Sequence, residues 1–560
     1  MKKYITVALS LGIAASALAE VVLPKVISDK MILQRGVEAP IWGWADAGET
    51  VTVSFAGQTK KAMPDTNGKW MVKLDPLNAS SENRKMTIAG KNEIKLEDVL
   101  VGEVWLASGQ SNMEWDFGRI DKAERKFAAQ QKGNQLVRAF HVNQHITAGA
   151  SLDDTVGWWK DCEEMVGEPG ISLGLGKTVS AVGFFFALEL QKELGVPVAF
   201  IDSNWGGRRI ESFIPDEGYD AMGLKYRKGG KLKAADIADK IEQKLDELSA
   251  VLEEAKQGKE ISAKVLGSFG VRAKANSKVN AVIEKQLLEL QGHLTVALET
   301  AKQGWLIPVN LRGILGVADN DIYNAMIAPL TPYAIKGAIW YQGESNRKST
   351  DYFEKLQALS AGWSQAFHVK DIPLHLVQIA PYDYEKQRGT NEPGSLSSML
   401  ADNIWQAQYR GAGEIPGMSV VPIHDTNIPV GNIHPPHKLP VGNRLAARAL
   451  KEQYGNEITA HGPSFAGAKL NGSRVMVSFD GIDQGLSTKD GKAPTWFEVS
   501  IDGNTFVKAE AVINGNTVEV SAQEVSDPKF VRMGWYDTAI PTLQDKNGWP
   551  VFAFPAQPVK

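Results

Sequence analysis

The chain has 560 residues, 43% hydrophobic and 22% charged, with 61 basic against 65 acidic residues and a net charge of −4. That is the balance of a globular protein with roughly three or four domains of about 100–200 residues. It lacks the basic excess of a nucleic-acid binder, and its single cysteine, Cys162, allows no internal disulfide.

The first twenty residues, MKKYITVALSLGIAASALAE, read as a secretory signal. Two lysines precede an apolar run from Ile5, and Ala17-Leu18-Ala19 forms an A-x-A cleavage site. Cleavage is expected after Ala19. The run is short for a membrane span, and no later stretch reaches 18 uninterrupted apolar residues. A soluble mature protein in the bacterial periplasm or the medium is expected. Residues 20–98 then alternate short β-rich runs with turns: IWGW, a turn at DAGE, then TVTVSF. That spacing predicts a small β-sandwich.

From residue 99 the texture changes. EVWLAS and VPVAFIDS are buried-strand candidates on either side of SAVGFFFALELQKELG, a helical stretch with Ser180 placed as N-cap and Gly195 as C-cap. AIKGAIWYQ and IPLHLVQIA follow as strands, with TDYFEKLQALSAGWSQAF as a helix between them. Strand and helix in alternation predict a parallel α/β domain over 99–454. Residues 218–305 interrupt it with two stretches rich in Ala, Lys, Glu and Leu. Their apolar residues recur every three or four positions, as in an inserted pair of amphipathic helices with solvated charged faces. Residues 455–560 return to β, with RVMVSFDG, TWFEVSIDG and NTVEVSA joined by Asp-Gly and Asn-Gly turns, and read as a second β-sandwich.

Chemistry concentrates at four strand ends. After EVWLAS comes Gly109-Gln110-Ser111-Asn112; after VAFIDS comes Trp205-Gly206-Gly207-Arg208; after AIKGAIWYQ, which ends at Gln342, comes Gly343-Glu344; and after MSVVPI comes His424-Asp425, with His434 beyond. A serine esterase needs a nucleophile, a base, a group to orient the base and donors for the oxyanion, and α/β sheets gather such groups at the C-terminal ends of strands. GQSN is not the G-x-S-x-G elbow. Each piece alone reads as a turn; the four in this order point to catalysis. Trp105, Trp115, Trp205 and Trp340 divide between core packing and stacking on a sugar face. Cys162, in WWKDCEEM, reads as a structural thiol. No zinc is expected, because Pro435 and Pro436 between His434 and His437 argue against a helix presenting both.

The blocks VGEVWLASGQSNMEW, AVGFFFALELQKELGVPVAFIDSNWGG, IYNAMIAPLTPYAIKGAIWYQGESN and IHPPHKLPVGNRLA resemble the sialate O-acetylesterase family, a branch of the SGNH/GDSL esterases. The resemblance implies an SGNH-type flavodoxin-like α/β/α domain between β-domains, and a metal-free, cofactor-free serine esterase that removes acetyl groups from sugars, typically sialic acids. Carried onto this sequence, it makes Ser111 the nucleophile and His434 the base, with His437 the rival. Oxyanion donors are the N–H of Ser111, an N–H of Gly206 or Gly207, and the Gln342 amide. Asn112 and Glu344 support them. The position three residues before His434, where SGNH enzymes commonly have Asp, is Gly431. Either Asp425 or a backbone carbonyl orients the base. Arg208, where the family commonly has Thr, either pairs with a sugar carboxylate or faces solvent. An esterase for acetylated xylan and a non-catalytic glycan-binding protein are the alternative readings.

Overall fold

The computed structural model describes residues 20–145, 151–166, 179–226, 234–269, 277–279, 281–302, 319–385, 397–426 and 430–560; the leader at 1–19 lies outside them. The molecule is a mixed α/β structure around a large central sheet, with further β-sheets toward the C-terminus. The strands of the central path are β1 (Glu93–Gly109), β2 (Val137–Val142), β3 (Gly157–Asp161), β4 (Val198–Asn204), β5 (Gly337–Tyr341), β6 (Leu374–Val377) and β7 (Met418–Val421). Their order across the sheet is β7-β6-β5-β1-β4-β2-β3, all parallel except β3.

β1 shows how sequence sets this architecture. Its first six residues alternate exposed with half-buried or buried ones, whereas Val99–Gly109 are all buried. Alternation marks a strand with one wet face; a continuous apolar run marks a strand covered on both. The strand runs straight through the expected boundary at 98/99. Ile32–Gln34 pairs with it in parallel at Leu100–Gly102, and Ser80–Ala89 pairs antiparallel. The N-terminal strands therefore share one hydrophobic core with the central unit, while Val475, Val477, Phe497, Val518 and Val531 belong to a separate C-terminal core.

The flanking helices follow their caps. In α2 (Ala181–Leu194) the Ser180 Oγ accepts the Gly183 N–H, and Gly195 closes the end with φ of 65°. α5 (Leu439–Tyr454) packs on α2 at Gly442, where an added Cβ would stand 2.6 Å from Phe185 Cβ. Helices Ala234–Lys256 and Ala281–Lys302 pack together, burying Ile241, Leu248 and Leu252 of one and Leu287, Leu290 and Leu294 of the other. The C-terminal region carries two four-stranded antiparallel sheets. It docks on the central unit through Trp535 Nε1, which donates to Asp402 at 2.7 Å, and through Asp537, which accepts from the Leu400 N–H at 2.8 Å. Among the described residues no helix is long and apolar enough to cross a membrane. Burial pushes the Cys162 thiol up to about 12, so it stays protonated and unreactive.

Candidate active site

Chain order reverses at β1: β2 and β4 lie to one side, then β5, β6 and β7 to the other. Such a switch point opens a crevice at the C-terminal strand ends. Gly109 makes the turn there with φ of 144°. A Cβ on it would stand 2.3 Å from the Tyr341 carbonyl oxygen, so glycine lets the end of β5 close in. The Gln110 N–H donates to that carbonyl at 3.0 Å and the Trp205 N–H to the Gly109 carbonyl at 2.9 Å. Ser111 then opens a single helical turn, α1 (Ser111–Glu114). Its N–H has no carbonyl one turn back to bond.

His434 arrives from the segment before α5. Its Nε2 lies 2.8 Å from Ser111 Oγ, across 323 residues of sequence. The ring stacks on Trp115, with centroids 4.6 Å apart and planes at 26°. Burial first, then the charges of Lys438 and Arg119, lowers its pKa to about 4. At neutral pH the imidazole is uncharged, and Nε2 can accept the serine proton.

Asn112 sits at the centre of a buried network. Its Nδ2 donates to Glu344 Oε1 at 2.5 Å and to the Ile433 carbonyl at 3.0 Å, while its Oδ1 accepts from Lys438 Nζ at 2.6 Å. Burial pushes the Glu344 carboxyl up, and hydrogen bonds including that of Asn112, with the Lys438 charge, pull it back. Lys438 is 0% exposed and lies 5.2 Å from the Tyr341 ring centre and 5.5 Å from that of Trp115. Burial lowers it to about 7, against the pull of Glu344 and Glu124.

The chain that makes this Ser111–His434 contact has counterparts. A family profile described as "Carbohydrate esterase, sialic acid-specific acetylesterase" matches residues 295–451. The sialate O-acetylesterase of Homo sapiens is 28% identical over 466 residues, 78% of this chain and 72% of the relative. That of Rattus norvegicus is 26% identical over 472 residues, 78% and 74%. A solved carbohydrate acetylesterase from Xanthomonas citri superposes with a TM-score of 0.68 at 26% identity, covering 96% of this chain and 99% of the other. The chain is a carbohydrate esterase related to the sialate O-acetylesterases. It acts as a carboxylic ester hydrolase on O-acetylated sugars.

Within this esterase, three expected assignments need correction. Asp425 does not meet His434. Its carboxylate forms a two-pronged pair with Arg444, at 2.7 and 2.8 Å, and it is not among the charges that act on His434. The Gln342 amide does not face an oxyanion. Its Nε2 lies within hydrogen-bond distance of three acceptors, Gln110 Oε1 at 3.1 Å, the Arg208 carbonyl at 3.2 Å and Asn346 Oδ1 at 2.8 Å, and has two hydrogens to give. The Gly206 N–H donates to the Glu114 carboxylate; a Cβ there would stand 2.8 Å from that carboxylate and 3.3 Å from Ser111 Cβ, so Gly206 gives room rather than a donor. Gly207 adjoins it with φ of 70°.

His437 turns away to Glu124 at 3.3 Å. Arg208 lies over Trp205, 4.6 Å from the ring centre. Trp105 and Trp340 are core residues; of the four tryptophans, Trp115 stacks on His434. Among the described residues no group of three or more His, Cys, Asp or Glu is placed to hold a metal. Sequence reasoning missed Lys438 and Glu114. The signal for Lys438 was position alone, four residues past His434 in IHPPHK; nothing local tells a buried lysine from a surface one.

Proposed function

We propose that this esterase removes acetyl groups from O-acetylated sialic acids by a Ser111–His434 dyad. The 2.8 Å contact between Ser111 Oγ and His434 Nε2 carries the reading. Ser111 attacks the acetyl carbonyl as His434 takes its proton. The N–H groups of Ser111 and Gly207 receive the oxyanion, each donor worth about 3–4 kcal/mol of barrier. The imidazolium then protonates the departing sugar oxygen, leaving an acetyl-serine. Water attacks that ester, gives its proton to His434, and acetate leaves as Ser111 is regenerated. The Trp115 face offers the transient imidazolium an electron-rich neighbour.

Arg208, half-buried over Trp205 and next to Gly207, supports a sugar that bears a carboxylate. We read the central unit as SGNH-type with an insertion at 218–305, its core shared by the N-terminal β-strands of 20–98 and followed by a β-domain at 455–560. Residues 1–19 are read as an export signal for the periplasm or beyond. Acetate release from 9-O-acetylated sialic acid and from acetylated xylan tests the substrate class. The sialic acid ester is expected to be cleaved with the higher kcat/KM, and Arg208→Ala to raise KM for it alone. The reverse preference would assign the enzyme to polysaccharide, and no release from these or from a small acetyl ester would refute hydrolysis.

The pH profile follows from the base. Only neutral imidazole accepts the serine proton, so kcat/KM should rise through about pH 4, where His434 deprotonates, and be flat on the acid side of neutrality. A limb at the ordinary histidine value, about 6.5, would show that His434 is not the base or is not so buried in solution.

A further inference from the structure

We propose that Lys438 is a positioning residue for the Ser111–His434 pair, acting through Asn112 to fix the main chain that carries the base. Serine hydrolases commonly give this task to an acid on the imidazole; here Asp425 is committed to Arg444. The inference rests on the dyad reading above.

Asn112 follows the nucleophile in sequence, and Ile433 precedes the base. One Asn112 hydrogen holds the Ile433 carbonyl at 3.0 Å and the other holds Glu344 at 2.5 Å. An amide turned end for end would set its oxygen against a carboxylate and a carbonyl and its NH2 against an ammonium. Lys438 on Oδ1 at 2.6 Å therefore locks the one orientation in which Asn112 can grip the base segment. Glu124 fixes the other side of that segment by accepting the N–H groups of Lys438, at 2.8 Å, and Leu439, at 3.0 Å. Trp115 completes the seat, with the imidazole stacked at 4.6 Å and the ammonium 5.5 Å from its centre.

A fully buried ammonium is costly unless its partners are close, and a hydrophobic side chain would pack there without that cost. The charge also reaches the base. Lys438 and Arg119 are the cations acting on His434, and Glu344 and Glu124 are the anions acting on Lys438. Lys438 so favours the neutral imidazole that accepts a proton.

The test is the double variant Lys438→Met/Glu344→Gln, which removes both buried charges together, beside Lys438→Met alone and Ser111→Ala. Thermal unfolding establishes folding, and kcat, KM and the pH profile are taken on a small acetyl ester. In the double variant kcat is expected to fall about 10²-fold, the scale of a small misplacement, with KM within threefold. The acid limb of kcat/KM should move upward from about pH 4, because the cation that opposes protonation is gone. A packing role alone would not move that limb. A folded double variant with kcat within threefold of wild type, or with an unmoved limb, would overturn the proposal. Should it not fold, Lys438→Gln is read by the same criteria. Failure of the dyad reading looks different: Ser111→Ala would then keep the activity.

Discussion

Ser111→Ala is expected to lower kcat by about 10⁴–10⁶-fold, with folding intact and KM for the acetylated sugar within a few fold of wild type. The change deletes one oxygen from a half-buried side chain whose hydrogen bond goes to His434 Nε2. No buried partner is orphaned at large cost, because the imidazole there is half-buried too and can be reached by water. The whole loss should therefore appear in turnover. Without Oγ there is no acetyl-serine, and the N–H groups around the carbonyl can assist only direct attack by water, which accounts for the residue of activity. Initial rates of acetate release with a melting curve on the same sample decide it. Activity within a hundredfold of wild type would mean that another group attacks the ester.

Asp425→Asn should have the opposite profile, a loss of about 2–3 kcal/mol in stability and a kcat for the folded enzyme within a few fold of wild type. Asp425 lies past the end of β7 and takes both arms of Arg444, which projects from α5. Arg444 also donates to the Pro422 carbonyl at 2.8 Å and to the Gly548 carbonyl at 3.4 Å, while Lys489 donates to the Asp425 carbonyl at 2.9 Å. The half-buried Asp425–Arg444 pair thus ties β7, α5 and two points of the C-terminal region. Asparagine keeps the shape but leaves the half-buried guanidinium without its counter-charge. The pH dependence has a definite sign. Burial on its own would raise the Asp425 pKa; hydrogen bonds and charge from Arg444, with His424 and Lys489, more than reverse this and hold it below the usual value. The stability it contributes is complete above the unfolded value, about 3.9, and is lost as the pH falls through the lowered folded value. Urea unfolding at neutral pH and below pH 4 should show wild type losing its advantage over Asp425→Asn only in acid. A hundredfold fall in kcat with stability unchanged would return Asp425 to the base.

Much of this architecture is written in local patterns of residues. The switch from alternating to continuous apolar residues inside β1, the Ser180 and Gly195 caps of α2, and the four chemical clusters at strand ends are local patterns, and local patterns survive folding because propensity and burial act residue by residue. Ser111 and His434 were both legible in this way, although 323 positions separate them. The partners of the polar groups are set by folding. Asp425 was placed near the base by its position in the chain, yet Arg444, 19 residues further on, takes its carboxylate. Gln342 and Gly206 were read as donors to substrate, yet Asn346, Gln110 and Glu114 claim their hydrogens. Lys438 carries no local signal and is fully buried on Asn112. A buried polar group must find a partner, and which partner it finds depends on which loops meet at the end of the sheet, a distance that no stretch of sequence contains.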